Sequence, residues 1–152
     1  MHILMCNDDG ILADGLRHLA SYLSQYYRIT VVAPANEQSA KSHALTTEIP
    51  LKLDAYNGED ENPRLYALTG TPSDCMKFGL SYLLADDMPD LVISGINHGF
   101  NLGSDVLYSG TVSAAMESCF YGIPGLALSV ERYSPERGDE MHPFIHELIE
   151  KI

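Results

Sequence analysis

A chain of 152 residues is long enough for one domain with a real core, and 45% hydrophobic against 20% charged residues is an ordinary globular composition. Nine Lys+Arg against 21 Asp+Glu leave a net charge of −12, which argues against a nucleic-acid polymer held on a basic face. No apolar run approaches the roughly 18 residues of a membrane helix, and the apolar start lacks the basic flank of a signal peptide, so neither a membrane nor a secretion route is expected.

The chain opens MHILMCNDDG. Residues 2–6 predict a strand, and it runs straight into Asn7, Asp8 and Asp9. Two adjacent carboxylates repel unless a cation or solvent relieves them. Asp14 is placed to cap a helix through about Tyr26, with Leu16, Leu19, Ala20 and Leu23 on one face. RITVVAP (28–34) is continuous and β-branched, as in a strand covered on both faces. After an irregular stretch (35–43), PLKLDAY and RLYALTG alternate around NGEDENP, predicting an antiparallel hairpin with an exposed acidic turn.

A helix should begin at Thr71, with Pro72 at its first position and Asp74 at capping-box spacing. DLVISG (90–95) predicts another buried strand. SGTVSAAMESCFYG predicts a helix of small residues with Gly122 just past its end, and PGLALSV (124–130) the next strand. DEMHPFIHELIEKI starts a last helix, expected to break early at Pro143. Cys6, Cys75 and Cys119 are an odd number with no CxxC pair. Each lies in a periodic apolar segment, so all three are expected to be reduced and buried, which points to the cytoplasm.

This order implies an α/β fold with a mainly parallel sheet and helices on both faces, formed by residues 1–152 as one domain. Ligands in such sheets bind at the carboxyl ends of the strands, so the loops 7–13, 34–43 and 95–110 should share one edge. The first holds Asn7, Asp8 and Asp9. The second, ANEQSAKSHALT, offers Ser39 and Ser42. The third, GINHGFNLGSDVLYSGT, brings Asn97, Asn101, three glycines and a helix start at Ser109-Gly110-Thr111. Carboxylates, amide carbonyls and hydroxyls form an all-oxygen set suited to Mg²⁺ or Mn²⁺. A helix N-terminus is a ready phosphate seat. Together they suggest metal-assisted phosphoryl hydrolysis. Each signal also has a plainer reading: a solvated DD pair, or a capped helix. His98 reads as a general acid or a surface histidine, and His43 is ambiguous. His142 and His146, spaced i,i+4 around Pro143, read as an exposed helix face rather than a metal pair.

Taken together, ILMCNDDGILADG, VVAPANEQSAKSHALT, TGTPSDC, DLVISGINHGFNLGSDVLYSGTVSAAMES and GIPGLALS resemble the SurE family, the survival-protein-E type of metal-dependent 5'/3'-nucleotidases. The resemblance runs over nearly the whole chain. It implies a Rossmann-like, three-layer αβα fold and removal of phosphate from nucleoside monophosphates. It implies one Mg²⁺ or Mn²⁺ per subunit, held by Asp8, Asp9, Ser39 and Asn97, with Asp8 and Asp9 catalytic. Asn101 would lie near the site, and Ser109, Gly110 and Thr111 would bind phosphate. Members assemble as homodimers or homotetramers through a C-terminal hairpin and arm, and their chains run further than this one, which reads as a fragment, a truncated form or an incomplete gene product. Ser39 is followed here by Ala40, where members often have glycine. Two other readings are an aspartyl-phosphate phosphatase of the haloacid-dehalogenase type, which uses Asp-x-Asp, and a non-catalytic nucleotide-binding or assembly module left by truncation.

Overall fold

The computed structural model describes all of residues 1–152. Its elements in chain order are β1 (His2–Cys6), α1 (Asp14–Leu23), β2 (Arg28–Pro34), β3 (Leu53–Ala55), β4 (Arg64–Leu68), α2 (Pro72–Phe78), β5 (Leu91–His98), α3 (Gly110–Cys119), β6 (Gly125–Val130) and α4 (Pro135–Ile149). The end of α2 continues as a π-helical turn, Gly79–Leu83, and a short 3₁₀ turn, Gly103–Leu107, precedes α3. The sheet runs β3-β4-β2-β1-β5-β6, with only β3 antiparallel. Without β3, the parallel strands stand in the order 3-2-1-4-5 by first appearance. That is the Rossmann-like, doubly wound order, with its reversal of winding between β1 and β5.

Side-chain alternation along the buried strands sorts the core into two layers. Ile3, Met5, Ile29, Val31, Leu91 and Ile93 face α1 and α4, where they meet Leu16, Leu19, Leu23, Ile145 and Ile149. Leu4, Cys6, Val32 and Val92 face the other way, against Cys75, Met76 and Leu80 of the α2 segment and Ala114 of α3. Burial of both faces explains why these strands read as continuous apolar runs.

The hairpin forms as expected, with Leu53–Ala55 antiparallel to Tyr66–Leu68. So does the capping box: the Asp74 N–H donates to Thr71 Oγ1 at 3.1 Å, and the Thr71 N–H donates to Asp74 Oδ2 at 2.9 Å. Four expectations need correcting. The residue before α1 is Ala13, which offers no side-chain cap, and Asp14 is the first helical residue; the helix ends at Leu23 and not near Tyr26. Pro143 does not break α4. The helix is already started by Ser134, whose hydroxyl accepts the Arg137 N–H, and Gly138, His142, Ile145 and Ile149 bury one face. Pro143 lies on the exposed face, and packing outweighs its missing hydrogen bond. Cys119 is exposed while Cys6 and Cys75 are buried, because α3 turns Cys119 away from the sheet. His142 is buried against Tyr22 and His146 stacks on Tyr26 at 4.1 Å, so this helix face is packed. No helix is long and apolar enough to cross a membrane.

His2 carries a consequence for stability. It is 3% exposed, with Nε2 3.0 Å from Thr30 Oγ1 and no hydrogen bond on Nδ1, which stands 3.8 Å from Asp87 Oδ2. Burial, then the charge of Arg28, holds its pKa below the ordinary 6.5, with Asp87 opposing. The unfolded chain therefore binds the proton first. The stability contribution is present above about pH 6.5 and is lost as pH falls through the lower folded value. Urea midpoints should drop between pH 7 and pH 5, and His2→Gln should flatten that drop. An equal slope in the variant would contradict the assignment.

Candidate active site

The chain leaves β1 through a turn built by Asn7. Its Oδ1 accepts the Gly10 N–H and its Nδ2 donates to the Gly10 carbonyl, both at 3.1 Å. Gly10 sits at φ +102°, a conformation glycine adopts without penalty. The turn sets Asp8, 6% exposed, and the half-buried Asp9 on the carboxyl edge of the sheet. Asp8 Oδ1 accepts the Thr111 hydroxyl at 2.6 Å. Asp9 Oδ2 receives only a long contact, 3.4 Å, from the His98 N–H. Burial first, and the neighbouring Asp8 charge second, push the Asp9 carboxyl above its ordinary value. The repulsion anticipated for two adjacent carboxylates is therefore present.

The loop after β2 is irregular yet held at several points. The Gln38 N–H donates to the Asp8 carbonyl at 2.7 Å, and the Ser39 hydroxyl to Glu37 Oε1 at 2.7 Å. The Ser42 N–H and hydroxyl donate to the Tyr108 and Leu107 carbonyls at 3.0 and 2.9 Å. His43 Nε2 stands 2.6 Å from Oε2 of the buried Glu117 on α3, which makes His43 a tether for this loop. Ala40 takes φ +55°, a left-handed conformation that costs a non-glycine residue about 1–2 kcal/mol.

Along β5, pairing with β6 is irregular between Ser94 and Asn97. Gly95 sits at φ +125°, and a Cβ there would stand 2.3 Å from the Leu128 carbonyl oxygen. Beyond it, Asn97 Nδ2 donates to the Gly99 carbonyl at 2.7 Å, which leaves Oδ1 free. Asn101 Nδ2 donates to Ser129 Oγ at 2.7 Å. At the start of α3, Ser109 Oγ accepts the Val112 N–H at 3.2 Å as the helix cap. Gly110 packs where a Cβ would lie 2.9 Å from Asp8 Cβ, so the helix begins directly against Asp8.

Asp8, Asp9, Ser39, Asn97, Asn101 and Ser109 thus line one cleft of about 680 Å³. Gly110 and Thr111 stand behind Asp8 instead, and the Thr111 hydroxyl is spent on that carboxylate. The cleft also takes in Asp14, Glu37, Asp105, Tyr108 and Tyr133, none of which carries a site signal in the sequence. Glu37 stands only two positions before Ser39. Tyr133 follows β6, the fifth parallel strand to end on this edge. His98, a possible general acid by sequence, sits exposed on the rim. No Lys or Arg lines the cleft.

The donors suit a hard divalent cation. Two carboxylates have no Lys or Arg beside them, Asn97 Oδ1 is free, and Ser39 Oγ, whose O–H donates to Glu37, keeps lone pairs for the cleft.

The chain matches the family model described as Survival protein SurE over residues 3–152. It is 49% identical over 152 residues to a protein named 5'-nucleotidase SurE from Thermoanaerobacter sp. (strain X514), covering 100% of this chain and 60% of that one. It is 50% identical over 130 residues to the 5'-nucleotidase SurE of Vibrio vulnificus (strain YJ016), covering 86% of this chain and 49% of that one. The crystal structure of the SurE protein from Aquifex aeolicus superposes with a TM-score of 0.86 at 38% identity, over 99% of this chain and 59% of that one. The chain spans about 60% of the length of the first of these relatives. A family match over residues 3–152, together with these identities, means that this chain belongs to the SurE family.

Proposed function

We propose that the protein is a metal-dependent phosphomonoesterase that releases phosphate from nucleoside monophosphates, as a 5'/3'-nucleotidase. The observation that carries this reading is the convergence of Asp8, Asp9, Ser39 and Asn97 on a single cleft that has no Lys or Arg. The names of the relatives, 5'-nucleotidase SurE, support the same reaction. Those four side chains would hold one Mg²⁺ or Mn²⁺ per subunit. The ion, when bound, supplies Lewis-acid polarisation of the phosphate and acidifies water at the site.

The remaining work falls to the chain itself. Thr111 fixes the Asp8 carboxylate, so that group orients and does not swing. Asp9 receives only the long contact from the His98 N–H on Oδ2, and its free Oδ1 is placed to orient the attacking water and accept its proton. The first-turn N–H groups of α3 have no acceptor one turn back in the helix, and Ser109 opens that turn on the cleft, so the phosphate would lie at the Ser109 end of α3, with Gly110 and Thr111 behind Asp8. Asn101 would add an amide beside those N–H groups.

The reading extends to setting. Buried, unpaired Cys6 and Cys75 fit a reducing cytoplasm. A homodimer or homotetramer would cover exposed apolar side chains such as Leu107 and Phe120.

The test is phosphate release from a panel of nucleoside 5'- and 3'-monophosphates with Mg²⁺, with Mn²⁺ and with chelator. Release should require added metal, stop in chelator and return when metal is restored. Nucleotide binding without metal and without phosphate release would instead favour a non-catalytic binding module.

A further inference from the structure

The phosphate end of the cleft has its donors, but nothing so far receives the rest of the substrate. Carboxylates at Asp14, Glu37 and Asp105 line the cleft, with no Lys or Arg, so the organic part has to be uncharged or cationic. Two aromatic rings line it as well. Tyr108 immediately precedes α3 on one face of the sheet and is 63% exposed. Tyr133 lies between β6 and α4 on the other face, where it packs against the core under α1 and α4.

Tyr133 is the fixed one. Its hydroxyl is 3.2 Å from His18 Nδ1, a partner 115 residues away on α1. It sits directly over Gly138, where a Cβ would stand 2.5 Å from the hydroxyl oxygen and 3.2 Å from the ring of the buried His142. Burial, then the carboxylates Asp14 and Asp139, keep the phenol protonated well past neutral pH. Tyr133 lines the cleft with its hydroxyl engaged by His18, so the ring is the part left to meet a ligand. A ring already held in place loses little freedom on binding. Bases stack on such rings regardless of their identity.

We propose that Tyr133, held by His18 and seated over Gly138, is the wall on which the nucleoside part of the substrate lies. This rests on the nucleotidase reading and makes Tyr133 a specificity-determining residue that favours phosphate esters of nucleosides over those of small aliphatic alcohols. The experiment compares Tyr133→Ala and Tyr133→Phe with the parent on two substrates, adenosine 5'-monophosphate and glycerol 2-phosphate, and measures adenosine binding by calorimetry. Loss of one stacking partner corresponds to about a tenfold effect. In Tyr133→Ala the ratio of kcat/KM for the nucleotide to that for glycerol 2-phosphate should fall about tenfold, through KM, and the Kd for adenosine should rise to match. Tyr133→Phe, which keeps the ring, should recover most of both. Equal losses on both substrates with an unchanged adenosine Kd would overturn the proposal and leave the nucleotidase reading intact. Absent phosphate release from the parent, with adenosine binding still weakened in Tyr133→Ala, would overturn the reading and keep the wall.

Discussion

Replacing Asp8 or Asp9 with asparagine should lower phosphate release about a thousandfold or more in protein that still folds. Asparagine keeps the shape of the side chain and removes the charge that two adjacent carboxylates offer a cation. Polarisation by a metal is worth several kcal/mol, and each 1.36 kcal/mol is a factor of ten in rate. The two variants should part company in stability. The Asp9 carboxyl is raised by burial and by Asp8, so its ionised form is disfavoured in the folded, metal-free chain. Its contribution at neutral pH is therefore unfavourable, and Asp9→Asn should raise the melting temperature in chelator. Asp8→Asn keeps an oxygen for the Thr111 hydroxyl and should melt close to the parent. Phosphate-release kinetics and thermal melts in chelator check both halves. Unchanged turnover in both variants would refute the assignment of Asp8 and Asp9.

The largest effect on folding is expected at Gly95. Gly95→Ala should cost about 3 kcal/mol or more, combining a backbone conformation closed to L-residues with a steric overlap. At φ +125° the new Cβ would lie 2.3 Å from the Leu128 carbonyl oxygen and 3.1 Å from the Asn97 nitrogen. Both contacts are backbone atoms, so no side chain can rotate away. Relief requires β5 and β6 to separate where Asn97 pairs with Ser129, and Asn97 would leave the cleft with them. Gly103 is the control: it has φ +57°, and a methyl group added there would meet nothing within 4 Å. Alanine at that position should cost only about 1–2 kcal/mol. Urea titration of both variants measures the difference. Equal midpoints would show that the β5–β6 irregularity tolerates a side chain.

Much of this architecture is legible locally. Continuous apolar runs mark the buried strands, and the Thr71-Pro72-Asp74 cap forms as written because capping is decided within four residues. The carboxyl-edge rule gathers the three loops that carry Asp8, Asp9, Ser39 and Asn97, and the family resemblance singles out those four within them. What escapes is decided at long range. Pro143 looks like a break because propensity is local, whereas the burial of Ile145 and Ile149 that sustains α4 is tertiary. Thr111 suggests a phosphate ligand, yet its hydroxyl is committed to Asp8, 103 residues away. Ala40 is stiffer than the glycine that often follows this serine in the family. It nonetheless adopts a left-handed conformation, in a loop held by Asp8, Tyr108, Leu107 and Glu117. Tyr133 carries no motif and stands on the cleft only because β6 ends on the same edge.

The most direct test of the metal site is an anomalous-difference map from a crystal soaked in manganese. One peak is expected in the cleft, about 2.1 Å from oxygens of Asp8, Asp9, Ser39 and Asn97. No peak among those four side chains, or a peak bound elsewhere on the surface, would contradict it.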